Sequence, residues 1–309
     1  MQPGQIAESP NAGTRKPDAL RVAIQVVLFL LIFFFLDVFI CQPLFRWVGG
    51  GFAGPTTATL VAAGCSSWLG LRAFHDLPLV SLGLWWNRLS ADNLALGLAT
   101  GAAGALAVLL PPLALGVARV GRSGPFSWTD TAFTMVFLAV GVAGEELLCR
   151  GFAFQVLLGR VGPLLTVIPM GLLFGLLHAF NPSATWFSVA NTASFGALFG
   201  YAYVRSRDLW LPIGLHFGWN FTLPLFGANL SGIKIINEVT GLRMVWTAGG
   251  VWSGGEYGPE ASVLTTAIVF VLFLVLWKAP VRRQHSPLTD PPQETVCEPS
   301  LPSPPAPSR

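Results

Sequence analysis

About eight apolar stretches follow one another along this chain, each near the roughly 20 residues a helix needs to cross a hydrocarbon core. They cover residues 22–40, 52–74, 93–117, 129–157, 162–178, 186–204, 209–228 and 261–277. So many segments of that length leave little chain for a water-facing coat. Only 11% of residues are charged against 53% hydrophobic, and the mean hydropathy is +0.62. A soluble domain carries about a quarter charged residues. The expected solvent is therefore the lipid bilayer, and the expected fold class is all-α: a polytopic transmembrane helical bundle of about eight membrane helices.

Charge placement sets an orientation. With the N-terminus in the cytoplasm, the inner segments carry Arg15, Lys16, Arg21, Arg72, Arg88, Arg160, Arg205, Arg207, Lys278, Arg282 and Arg283. The outer loops carry Arg46, Arg119, Arg122, Lys234 and Arg243. This excess of inner cations predicts both termini in the cytoplasm. The net charge of +3 forms no basic stripe, which argues against nucleic acid as a partner. Residues 1–21 read as a disordered polar tail without the pattern of a cleaved signal peptide. Residues 280–309, rich in Pro and Ser, read as a second disordered tail. Between them lie N-terminal membrane helices at 22–128 and a more polar core at 129–279. The Gly-rich stretch 229–260 reads as a long outer loop. Cys41, Cys65, Cys149 and Cys297 share no metal-type spacing and read as free thiols.

The informative residues are ionisable groups within the apolar core. Each costs about 2.5–3.5 kcal/mol at the bilayer centre on insertion scales, so each needs a partner or a function. Glu146 and Arg150 stand four apart and share a helix face as an ion pair. Glu145 is turned about 100° from Glu146 and has no cation at helical spacing. It is free to face a cavity as a general base, with Cys149 on the same face. Phe174 and His178 are again four apart, as are His216 and Asn220. By themselves these residues also fit a register-fixing ion pair, a helix-end histidine and interhelical hydrogen bonding. Together they supply a carboxylate, two imidazoles and a carboxamide, the groups needed to activate water and hold an oxyanion in amide hydrolysis. There is no His-Glu-x-x-His zinc motif and no Gly-x-Ser-x-Gly elbow.

Glu-Glu-x-x-x-Arg at 145–150, Phe-x-x-x-His at 174–178 and His-x-x-x-Asn at 216–220 resemble, in this order, the three motifs of the CPBP family. That family comprises CAAX prenyl proteases of type II and bacteriocin-processing proteins, and is also called Abi. The resemblance covers about residues 129–228. It implies an intramembrane glutamic endopeptidase in a bacterial plasma membrane. Glu145 would be the base, His178 would position the water, and His216 and Asn220 would stabilise the oxyanion. Glu146, Arg150 and Phe174 would support the site. It implies no cofactor, with zinc as the alternative, and a membrane-associated protein or peptide as substrate. Nothing in the sequence sets an oligomeric state. Three other readings fit less of the pattern: a non-enzymatic scaffold or immunity protein that keeps the motifs, a zinc-dependent variant of the protease, and a proton-coupled transporter. The chain shows no repeated halves of the kind transporters have.

Overall fold

The computed structural model describes residues 18–49, 53–234, 240–247 and 249–290. Residues 1–17 of the tail expected over 1–21, most of the second tail at 291–309 and part of the outer loop at 235–239 lie outside the described residues, while Asp18 caps a helix that begins at Ala19, inside the expected tail. All eight predicted apolar segments are helical. In chain order the helices are α1 (Ala19–Phe35), α2 (Gln42–Gly49), α3 (Ala53–Phe74), α4 (Arg88–Ala114), α5 (Trp128–Arg150), α6 (Phe152–Val161) and α7 (Pro163–Leu177). They continue with α8 (Trp186–Ser206), α9 (Trp210–Leu225), the short α10 (Gly250–Ser253) and α11 (Val263–Lys278). A π-helical turn, Leu36–Cys41, joins α1 to α2. In lipid, helices alone satisfy their backbone groups within one segment.

Among the described residues, four helical stretches are long and apolar enough to cross a membrane: Ala19–Trp47, Arg88–Ala114, Trp128–Val161 and Pro163–Phe180. Large apolar side chains face outward on α1, among them Leu31, Phe34 and Phe35. Exposed apolar surface on that scale is what a bilayer covers. The protein is an integral membrane protein.

The structure departs from the sequence reading at three places. The helix expected over 129–157 breaks at Gly151, where α5 ends and α6 begins. A Cβ there would stand 2.1 Å from the Leu147 carbonyl oxygen, so only glycine fits the bend. The fold is not wholly helical: β1 (Ala118–Arg122) and β2 (Leu242–Trp246) pair antiparallel, with Val120 opposite Met244. These strands follow α4 and α9 at one end of the bundle and have no apolar alternation strong enough to read from sequence.

The third departure is at residues 281–290, which pack at the opposite end instead of forming part of a free tail. Gln284 accepts from Trp85 Nε1 (2.6 Å) and Asn87 Nδ2 (2.8 Å) and donates to Asp208 Oδ2 (2.6 Å). Asn93 Nδ2 donates to the same Asp208 oxygen at 2.7 Å. Burial pushes the Asp208 carboxyl above the usual carboxylate range, and these hydrogen bonds oppose the shift. The other Asp208 oxygen accepts from the Leu211 amide at 3.2 Å and so caps the start of α9.

Small residues set the helix spacing. On α4, a Cβ at Gly101 would lie 2.1 Å from the Leu215 carbonyl oxygen of α9. On α7, one at Gly175 would lie 2.6 Å from the Val189 carbonyl oxygen of α8. On α5, one at Gly144 would lie 2.9 Å from the Leu60 amide of α3. Glycine at such contacts lets backbones approach closely, which is how membrane helices gain packing energy. Each of α5, α7 and α9 is thereby seated on a neighbour, and these three helices carry the residues singled out above. Gly101→Ala is expected to separate α4 from α9 at a cost of about 1–3 kcal/mol, the usual penalty for overpacking. Thermal unfolding in detergent measures it, and an unchanged midpoint would show that the contact relaxes freely.

Candidate active site

Glu145 and Glu146 occupy adjacent positions near the end of α5, so the helix turns them to different surroundings. Glu146 is fully buried. Its Oε1 accepts from Arg150 Nη1 at 3.2 Å and meets His216 Nδ1 at 2.8 Å. Arg150 is also fully buried and donates from Nη2 to the Gly196 carbonyl at 2.7 Å. Its guanidinium lies 4.8 Å from the centre of the Phe174 ring and 5.3 Å from that of Phe199. The two rings give the cation an electron-rich surround in place of water. The ion pair expected from the four-residue spacing is present and carries a third member, His216.

Glu145 faces the other way. Its side chain is 38% exposed, and Oε2 lies 3.8 Å from His216 Nε2. Its Oε2 has no hydrogen-bond partner within the protein. His216 stands between the two carboxylates and stacks on Phe199, with ring centres 4.6 Å apart and planes at 19°. An ionised carboxylate only accepts, so Nδ1 carries the proton shared with Glu146.

His178 lies just past the end of α7 in a 3₁₀ turn, His178–Phe180. Its Nδ1 is 2.9 Å from the Phe174 carbonyl oxygen, and its ring packs on the Phe174 ring at 4.6 Å. A carbonyl only accepts, which places the proton on Nδ1 and leaves Nε2 as an acceptor in the neutral form. His178 and Glu145 line the same cavity.

Glu145, Phe174, His178, His216 and Asn220 all line one cavity of about 360 Å³, while Glu146 and Arg150 sit behind its wall. Cys149 lines it as a free thiol. Two further carboxylates reach it from outside the motifs. Asp37 comes from the π-helical turn after α1, and Glu260 from the 3₁₀ turn Pro259–Ala261 before α11. Asp37 left a signal in the sequence, an acid inside an apolar stretch. Glu260 left none, because it lies in a Gly-rich loop without periodicity. Among the described residues, no three His, Cys, Asp or Glu side chains are grouped to hold a metal ion.

Residues 126–222 match the family model described as type II CAAX prenyl endopeptidase Rce1-like. This is the family that the three motifs resemble. The match runs from just before α5 into α9 and includes all seven residues named from sequence. Neither curated proteins nor solved structures give a match. The matched segment thus supplies the motif residues of the cavity, while Asp37, Thr56, Thr59, Ser231 and Glu260 line it from outside that segment.

Proposed function

We propose that this protein is an intramembrane endopeptidase of the CAAX-protease type, cleaving a membrane-associated protein or peptide in a bacterial plasma membrane. In this reading the eight apolar helices all cross the bilayer and both termini are cytoplasmic. The observation that carries it is the shared cavity: a carboxylate, two imidazoles and a carboxamide from α5, the α7 end and α9 face one volume. The Rce1-like match to the same helices supports it.

In the proposed reaction Glu145 takes a proton from a water molecule as that water attacks the scissile carbonyl carbon. His178 Nε2 accepts the second hydrogen of the water and orients its lone pair. The tetrahedral oxyanion receives hydrogen bonds from Asn220 Nδ2 and from His216 Nε2 in its doubly protonated form, whose Nδ1–H is held by Glu146. The C–N bond then breaks, and the proton held by Glu145 passes to the leaving nitrogen. Glu146 and Arg150 act through His216 by fixing its ring.

The test uses the purified protein in lipid nanodiscs with membrane-anchored peptides, prenylated and unprenylated, in water enriched in oxygen-18. Hydrolysis is expected to place one labelled oxygen in each new carboxylate. A chelator is expected to leave the rate unchanged. Absence of any hydrolysed product across the panel would end the endopeptidase reading. Activity lost to chelator and restored by zinc would move the mechanism to a metal-activated water.

A further inference from the structure

Residues 228–234, after α9, form a strap across one side of the cavity. Leu230, Ser231 and Ile233 line the cavity itself. Ala228, Asn229 and Lys234 instead line a second cleft of about 750 Å³, together with Gly258 and Pro259. The strap and the 258–260 turn thus contribute residues to both volumes and stand between them.

Several groups hold the strap: the Gly232 amide donates to the Tyr257 carbonyl at 2.8 Å, Asn229 Nδ2 donates to the Glu256 carbonyl at 2.9 Å, Lys234 pairs with Glu256 at 2.6 Å, and Glu260 grips Ser231 itself. Glu260 Oε2 accepts from the Ser231 amide at 2.5 Å and from Ser231 Oγ at 2.8 Å. Its Oε1 accepts from Trp219 Nε1 at 3.1 Å, on the helix that presents Asn220. Ser231 has φ +49°, a left-handed conformation uncommon outside glycine. Such strain persists where the surroundings enforce it. The same strap rests on the turn that carries His178. Asn181 Nδ2 donates to the Ser231 carbonyl at 3.2 Å, and a Cβ at Gly232 would stand 1.9 Å from the Pro182 carbonyl oxygen. Glu260 itself is buried, and its backbone carbonyl accepts from Asn191 Nδ2 at 2.8 Å.

We infer that Glu260 is a positioning residue. It latches the strap onto Trp219, beside the Asn181 bond that joins the strap to the His178 turn, and so closes the catalytic cavity from the neighbouring cleft. Glu260 touches no reacting atom in the proposed mechanism, and its bearing on catalysis rests on the endopeptidase reading. The latch itself does not rest on that reading.

Cys149 provides a native reporter, because it lines the cavity and is buried. Cys41 is buried in a separate cluster with Ala58 and Ala62 and reports general loosening. The full chain in nanodiscs is treated with a charged thiol reagent, and each cysteine is followed by mass spectrometry of its peptide. Glu260→Gln is expected to raise the Cys149 rate by at least about tenfold, since losing a hydrogen bond to a charged group shifts a local opening by that factor. Ser231→Ala, which removes one of the two Ser231 donors, is expected to raise it less. Cys41 should not change in either variant. An unchanged Cys149 rate in Glu260→Gln, or an equal rise at Cys41, would overturn the latch. The catalytic reading is tested separately by hydrolysis in Glu145→Gln, so its failure and failure of the latch are read from different variants and different measurements.

Discussion

Glu145→Gln is expected to lower kcat by about 10²–10⁴-fold, the range associated with a positioned general base. Stability and peptide binding should stay near those of the unaltered protein. The physical reason is the contrast between two neighbours on α5. Glu146 is locked by Arg150 and His216 at hydrogen-bond distance. Glu145 has a loose 3.8 Å approach to His216, and its side chain is 38% open to the cavity. A carboxamide fills the same volume and cannot take a proton from water. The measurement pairs single-turnover cleavage with a melting curve of the same sample. A kcat within a few-fold of the unaltered protein would remove Glu145 from the base role.

Arg150→Met should instead act on the fold, at a cost of about 3–5 kcal/mol, the penalty for leaving one partner of a buried ion pair uncompensated. Arg150 is fully buried, and its loss strips the Gly196 carbonyl of a donor as well as Glu146 of its cation. The methionine fills the slot between Phe174 and Phe199 without a charge. The double variant Glu146→Gln with Arg150→Met is expected to recover part of the loss, because no unpaired charge then remains. Unfolding midpoints of the three proteins in one detergent measure both effects. Unaltered stability in Arg150→Met would show that solvent or lipid compensates Glu146 and that the pair is not a buried one.

The sequence carried much of this arrangement because helical spacing is local. Four-residue intervals put Glu146 with Arg150, Phe174 with His178 and His216 with Asn220 on common faces. Apolar length located the long helices α1, α3, α4, α7, α8, α9 and α11, but not α2, α10 or the division of α5 from α6. What it did not carry depends on groups that meet across distance. Glu260 reaches the cavity from a loop whose conformation depends on Gly258 at φ +107° and on a contact with Ser231. The seat of His178 depends on one turn beyond α7, where its ring bonds back to Phe174. Pro and Ser content suggested a free chain after α11, yet Gln284 finds four polar partners made available by helices far away in sequence. The break at Gly151 follows from a contact with its own preceding turn, which hydrophobic periodicity does not register.

The docking of residues 281–290 also orders events during synthesis. Asn93 and Asp208 leave the ribosome well before Gln284, and the cap on the first turn of α9 is braced only when all three are present. A nascent chain halted inside α11 holds every motif residue but leaves the Asp208 carboxylate short of a donor. The helix bearing His216 and Asn220 thus receives a further anchor from a segment made after it. A chain halted before Gln284 is left with the first turn of α9 less firmly braced.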